Sequence, residues 1–248
     1  MENNELIKRA EDLRERCERS CTVTHTGFLT PAESYELARY FKNRSGCTLV
    51  FFGGSGECER KIAFFLPEYM DEESFDGAEY ISAVKLTAYF GIPAHRDYMG
   101  AVLGMGIGRE RIGDIAVHDN TASVFCVPSV RPLIMQLEKA GRVTVKAEEI
   151  PLDKVPAPER KVKEMSFTVS SMRLDAVTGG MFGISRTEAA KQIGMGLVSV
   201  NYSVCEKPDH AVRAGDIITV RGRGKGSVTG TGGSSRKGRL FVYAEVLA

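Results

Sequence analysis

Residues 171–225 read SMRLDAVTGGMFGISRTEAAKQIGMGLVSVNYSVCEKPDHAVRAGDIITVRGRGK, and this stretch decides how the chain is understood. Arg173-Leu174-Asp175 opens one helix and Ser185-Arg186-Thr187-Glu188 opens a second. Ser185 and Glu188 stand at N-cap and N3 spacing, the signature of a capping box, so the second helix should start at Arg186. Ala189 and Ile193 are four apart and can share a buried stripe, with Leu174 and Val177 opposite on the first helix. Gly194 and Gly196 are stop signals. A Val198-Ser199-Val200-Asn201 strand follows, and Gly215-Asp216 turns into a second strand running from Ile217 to Arg221 and Gly222. Packing two such short helices gathers Arg173, Arg186 and Lys191 beside a helix N-terminus, whose N–H groups attract phosphate. Thr187 and Gln192 add polar contacts on the second helix. Arg221, Arg223 and Lys225 alternate with glycines, which lets backbone approach a phosphate closely.

The charge distribution points the same way. The whole chain carries a net charge of only +1, which taken alone argues against a polyanionic partner. Residues 166–248, however, hold 11 Lys and Arg against 6 Asp and Glu, while the remainder holds 22 basic and 26 acidic residues. One end of the chain is therefore built for a polyanion.

At 248 residues and 43% hydrophobic content, the chain can bury substantial cores and is expected to form two or three domains. It contains no apolar run long enough for a membrane span, and the charged, helix-like start ENNELIKRAEDLRERCERSC has no signal-peptide core. A cytoplasmic location is expected, without membrane association. Cysteines 17, 21, 47, 58, 126 and 205 are too scattered for a disulfide scaffold, and Cys17 and Cys21 lack the second close pair that a zinc site wants. Reduced structural thiols are expected, with no metal and no cofactor.

Reading along the chain, Leu6, Ala10, Leu13 and Cys17 share one face of an N-terminal helix. Thr30-Pro31-Ala32-Glu33 is another capping box, opening a helix expected to reach about Asn43. Strands are expected over Cys47–Phe52 and Lys61–Leu66, followed by an acidic loop over Glu68–Glu79. These make a small α/β unit over residues 1–76. Residues 77–152 show a βαββαβ rhythm: strand 80–88, helix 95–105, strands 112–118 and 121–127 joined at Asp119-Asn120, helix 130–140, and strand 143–150. That order is the ferredoxin-like arrangement used by RNA-recognition-motif domains. The fold class is thus α+β and multidomain. The third strand offers only Phe125 as a base-stacking aromatic, and the fold alone does not establish RNA binding. Residues 153–165, rich in proline and charge, are expected as a linker to a module spanning 166–248.

The 171–225 stretch resembles the small RNA-binding module called the S-four or αL domain. The whole chain resembles the YlmH family of bacterial proteins that carry it. The resemblance rests on Phe28-Leu29-Thr30-Pro31-x-Glu33, Phe52-Gly53-Gly54, Glu59-Arg60, His95-Arg96-Asp97-x-x-Gly100, Arg109-Glu110-Arg111-Ile112-Gly113-Asp114-Ile115 and Lys237-Gly238-Arg239. It implies a protein that binds ribosomal RNA and acts on the free large ribosomal subunit that still holds peptidyl-tRNA; a monomer without catalysis is expected. The role implied is ribosome-associated quality control of stalled nascent chains; relatives have also been linked to cell division. The RNA-binding residues expected are Arg173, Ser185, Arg186, Thr187, Lys191, Gln192, Asn201, Arg221, Arg223 and Lys225. A possible second site comprises His95, Arg96, Arg109, Arg111, Lys237 and Arg239. Two departures stand out. Tyr202 occupies a position where glycine commonly follows the asparagine, and Gly179-Gly180 fall inside a helix, each costing about 1 kcal/mol against alanine.

One enzyme reading competes. Arg173-Leu174-Asp175-Ala176-Val177-Thr178-Gly179-Gly180 looks like the RLDxxTxG motif of pseudouridine synthases, in which the aspartate is the nucleophile. That motif normally lies downstream of an S-four module, inside a large β-rich domain. Here it opens the module, and only 73 residues follow Asp175. Gly104-Met105-Gly106-Ile107-Gly108 follows a helix rather than a strand, and Gly226–Gly233 lacks the Gly-Lys-Ser/Thr end of a P-loop, so neither supports nucleotide chemistry.

Overall fold

The computed structural model describes residues 2–44, 46–156, 162–235 and 238–247. The chain divides into two compact units, residues 1–159 and 160–248. Lys237 lies outside the described residues.

The first unit begins with α1 (Glu2–Ser20), β1 (Thr24–Leu29), α2 (Pro31–Phe41), β2 (Thr48–Phe52) and β3 (Lys61–Leu66). The capping box at α2 forms in full: Thr30 Oγ1 accepts from Glu33 N, and the Glu33 carboxylate accepts from Thr30 N at 2.7 Å. The strands make an antiparallel sheet in the order β1-β3-β2. β3 reads KIAFFL without polar alternation because both of its faces are covered. Ala63 and Phe65 pack with Ala10, Cys17, Leu37 and Phe41 of the helices. Ile62, Phe64 and Leu66 pack instead with Ile81, Ala83 and Phe125 from the second half of the unit. β1 was not foreseen from the sequence. Its Gly27 faces the backbone of Glu110, where a Cβ would come within 2.7 Å of the Glu110 carbonyl oxygen, and its register shifts between His25 and Phe28.

That second half contains β4 (Ser82–Ala88), α3 (His95–Gly104), β5 (Ile112–His118), β6 (Thr121–Cys126), α4 (Arg131–Ile134), β7 (Lys139–Ala140) and β8 (Val143–Ile150). These strands form an antiparallel sheet in the order β5-β6-β4-β8-β7. Val84, Leu86, Val124, Tyr98, Val102 and Ile134 fill the core beneath the helices. The helix expected over 130–140 is cut to four residues because Lys139 and Ala140 pair with Thr144 and Val143 across a turn in which Gly141 has φ +60°. Leu152 and Val155, expected at the margin of a linker, pack onto the core around Phe64.

The second unit comprises β9 (Val162–Val169), α5 (Leu174–Phe182), α6 (Arg186–Gly194), β10 (Val198–Val200), β11 (Ser203–Val204), β12 (Ile217–Val220), β13 (Gly224–Ser234) and β14 (Leu240–Leu247). All six strands join in one antiparallel sheet, ordered β11-β10-β12-β13-β14-β9. β9 pairs with β14 along its whole length, so residues 162–165, expected in the linker, belong to the sheet. Leu174, Val177, Met181 and Ile193 of the helices close a core with Val198, Ile218, Val228 and Val242. The helical glycines have a structural reason. A Cβ on Gly180 would fall 2.1 Å from the ring of Phe167, and one on Gly179 would crowd the Ile184 carbonyl at 3.0 Å. Glycine at these positions lets α5 lie directly on β9 and lets the chain turn tightly into α6.

Candidate nucleic-acid interface

The α5–α6 pair is organised around one carboxylate. Asp175 sits in the first turn of α5 with its side chain only 6% exposed. Its Oδ2 accepts from Arg173 Nη2 at 3.0 Å and from Arg186 Nη2 at 3.1 Å, while Oδ1 accepts from Arg173 Nε at 3.3 Å. Burial pushes the Asp175 carboxyl up, but the hydrogen bonds from Arg173 and Arg186 outweigh it and hold the group below its ordinary value. The same hydrogen bonds raise Arg173 above the usual arginine value. Both guanidinium groups remain substantially open to solvent on their far sides, at 40% for Arg173 and 52% for Arg186. An arginine has five N–H donors, so each keeps donors for an outside acceptor.

The α5 N-terminus itself is closed. Leu174 N donates to the His210 carbonyl and Asp175 N to the Pro208 carbonyl, both at 2.9 Å, and Arg173 bridges to Ala211. The first helix therefore offers phosphate its arginine side chains, with these two backbone N–H groups already taken. At α6, Ser185 Oγ accepts from Glu188 N at 3.1 Å as expected, but the reciprocal half of the box is replaced: Glu188 Oε1 accepts from Gln192 Nε2 at 2.8 Å. Gln192 thus stiffens the helix side, while Thr187 and Lys191 are exposed on it.

Asn201 plays an internal part. It and Tyr202 form the two-residue turn between β10 and β11, with φ of +49° and +67°. Its Nδ2 donates to Asp216 Oδ1 at 2.8 Å and its Oδ1 accepts from Ile217 N at 2.9 Å. The side chain pins the β10–β11 turn to the start of β12. Tyr202 tolerates the left-handed conformation that glycine usually supplies here, and its ring lies 5.2 Å from Lys225 Nζ, within cation–π range. Arg221 and Arg223 are exposed on the turn between β12 and β13, and Lys225 follows within β13.

Of the residues expected at a second site, His95, Arg96, Arg109 and Arg111 belong to the first unit and Arg239 to the second. His95 and Arg96 are exposed at the start of α3, where the Asp97 carboxylate accepts from Ala94 N at 2.9 Å. Arg109 and Arg111 come after the C-terminal end of that ten-residue helix, in the short turn that leads into β5. Arg109 donates to the carbonyls of Ile112 and Gly113 at 3.0 and 3.1 Å. Beside it lies Arg60, a residue with no expected role. Its guanidinium is buried and donates to the carbonyls of Phe28, Arg109 and Ile112, and burial lowers its pKa. Asp114 accepts from the backbone N–H groups of Glu59 and Arg60. The Arg109–Ile115 motif is thus the seam that joins the two sheets of the first unit. Arg239, in the second unit, faces a cleft of about 420 Å³ that Arg186 also lines, over a floor that includes Ala176, Gly179 and Gly180. Its Nη2 donates to the Thr168 carbonyl at 2.7 Å. Arg239 therefore joins the α5–α6 site.

Phe125 is 1% exposed, packed against Gly54 and Gly113 inside the core shared by the two sheets, and cannot stack a base. Cys126 is buried and its thiol is pushed up to about 12, as is the Cys47 thiol. All six cysteines are free. Among the described residues, no group of three or more His, Cys, Asp or Glu side chains is placed to hold a metal ion. No helix among them is long and apolar enough to cross a membrane.

Residues 172–218 match the family model of the S4 domain, and residues 76–154 match a model described as "Putative RNA-binding domain in YlmH". With the arginine-bearing helix pair on its sheet, the chain is an S4-domain RNA-binding protein. A relative from Bacillus subtilis (strain 168), ribosome-associated protein quality control protein P2, is 33% identical over 221 residues, covering 89% of this chain and 86% of that protein. The chain belongs to the YlmH family. The solved structure of cell division protein ylmH from Streptococcus pneumoniae shares the fold, with a TM-score of 0.52 at 23% identity over 62% of this chain and 94% of that one.

Proposed function

We propose that this protein binds ribosomal RNA on the large ribosomal subunit, in the cytoplasm and as a monomer, and supports quality control of stalled nascent chains while peptidyl-tRNA is still held there. The observation that carries this reading is the Asp175-centred cluster. One buried carboxylate fixes Arg173 and Arg186 side by side, with Lys191 on the same helix as Arg186 and Arg239 across the cleft. Preset guanidinium groups suit phosphate oxygens, and a shape-reading contact with folded RNA asks for such a surface. The name of the Bacillus subtilis relative supports the ribosomal setting. In this reading residues 77–152 form a ferredoxin-like domain, which the strand order β5-β6-β4-β8 supports, packed on the α/β unit of residues 1–76.

The role is non-enzymatic. The Asp175 carboxylate is engaged by two arginines and almost wholly buried, which suits an organiser of the cluster better than a nucleophile reaching a uridine. Replacing both Arg186 and Lys191 with alanine should cost about 1–2 kcal/mol through the lost Asp175 partner, leave the module folded, and weaken cosedimentation with large subunits on gradients. Unchanged cosedimentation would sink the assignment. Isomerised uridine in ribosomal RNA that disappears with Asp175→Ala would restore the enzyme reading.

A further inference from the structure

The function proposed above makes no use of the most exposed apolar segment of the first unit. The loop between β4 and α3 carries Tyr89, Phe90 and Ile92 at 59, 87 and 73% exposure, three large apolar side chains within four residues. Scattered exposed hydrophobics are ordinary, but a contiguous group marks a contact surface.

The loop is presented on firm ground. At its start, Ala88 N donates to the Asn120 carbonyl at 2.8 Å and Asn120 Nδ2 returns a bond to the Ala88 carbonyl at 3.1 Å. Tyr89 N donates to the Thr144 carbonyl at 3.2 Å. Gly91 turns the tip with φ +84°, and Pro93 is buried at the far end. The aromatic pair therefore projects from anchored backbone.

The surroundings select the occupant. His95 and Arg96 are exposed three and four residues beyond Ile92. Arg142 is exposed on the β7–β8 turn, which packs against the first turn of α3: a Cβ on Gly141 would lie 3.3 Å from Asp97. Lys139 is exposed on the same hairpin. Of the acids at this end, Asp97 is committed to the Ala94 N–H, leaving Asp119 and Glu138 on the rim. Flat rings flanked by cations match unpaired nucleotides, whose bases stack on aromatics while their phosphates take the cations. The sheet face cannot serve, since Phe125 is buried. We propose that Tyr89 and Phe90 form a stacking tip for unpaired RNA bases, with Arg96 and Arg142 holding the adjoining phosphates. This is a second RNA contact, distinct from the α5–α6 site, and it rests on the reading of the protein as an RNA binder.

The test compares the full-length protein with its Tyr89→Ala/Phe90→Ala variant by fluorescence anisotropy. The probes are two RNAs: a hairpin with a long unpaired loop and a fully paired duplex of the same length. Both side chains are exposed, so the variant should melt like the wild type. Its affinity for the looped RNA should fall about tenfold or more for each base stacked, with an unchanged salt slope and unchanged duplex binding. A 2-aminopurine in the loop should lose its quenching. If wild type and variant bind the looped RNA alike, the stacking tip is refuted while RNA binding by the α5–α6 site stands. If the variant binds both RNAs normally but self-associates less, or loses a protein partner, the loop is a protein-docking surface and the proposal fails. If the wild-type protein binds neither RNA, the RNA-binding reading falls and takes this inference with it.

Discussion

The Asp175 carboxylate and the Arg186 guanidinium, 3.1 Å apart, tie the first turn of α6 to the first turn of α5. The pair sets both the stability of the module and the position of a cation offered to RNA. Asp175→Asn should weaken RNA binding although it removes a negative charge, because Arg173 and Arg186 lose their common anchor. The stability loss should be about 1–2 kcal/mol, below the figure for a fully buried pair because both arginines are half open to water. Thermal melts and a binding titration check both parts.

The pH dependence follows from the same carboxylate. Its folded pKa lies below its unfolded one, so its contribution is fully present above the ordinary carboxylate value and is lost as pH falls through the depressed folded value. Wild-type melting temperature should therefore drop more steeply in acid than that of Asp175→Asn. Parallel acid profiles for the two proteins would show that the ion pairs contribute nothing.

Asn201 should act through folding and not through RNA contact. Its side chain satisfies Ile217 N and Asp216 at once. Asn201→Ala strips both bonds and leaves a part-buried N–H without its acceptor, at a cost of about 2 kcal/mol. Well below the melting temperature, RNA affinity should stay within about twofold of wild type. A loss of affinity with unchanged stability would make Asn201 a direct contact after all.

Gly180→Ala tests the close approach of α5 to β9. Propensity alone predicts stabilisation of about 1 kcal/mol in a helix interior. The Phe167 ring stands 2.1 Å from the new Cβ, so overpacking should prevail and destabilise the protein by about 1–3 kcal/mol. Phe167→Leu in the same chain should recover part of the loss, as measured by denaturant unfolding.

Local signals carried much of this structure. Ser185 and Thr30 mark helix starts because a cap is written within four residues, and β3 reads as a strand from its unbroken apolar run. What stayed hidden depends on distant partners. GKGSVTGTGGS suggests a loop by its glycines, yet it forms the eleven-residue β13 because β12 and β14 hold it on both sides. The end of α4 was lost to a two-residue pairing across Gly141 that no propensity announces. At the site, the meeting of Arg173 and Arg186 was legible, and the closing of the α5 N-terminus by Pro208 and His210 was not, since it comes from a loop more than thirty residues away. Arg60 reads only as part of the Glu59-Arg60 pair in the resemblance, one of 33 basic residues, until the fold buries it in the seam.

The most direct measurement of the central claim is the affinity of the full chain for large-subunit ribosomal RNA across a range of salt concentrations. If roughly four to six of Arg173, Arg186, Lys191, Arg221, Arg223 and Lys225 meet phosphates, log affinity should fall with log salt at a slope of about −3 to −5. Arg223→Ala, exposed on the β12–β13 turn, should lower that steepness by about one phosphate's share and weaken binding to different RNA sequences alike. An interaction insensitive to salt, or one that Arg223→Ala alters for a single sequence only, would contradict the account and place the binding on another surface.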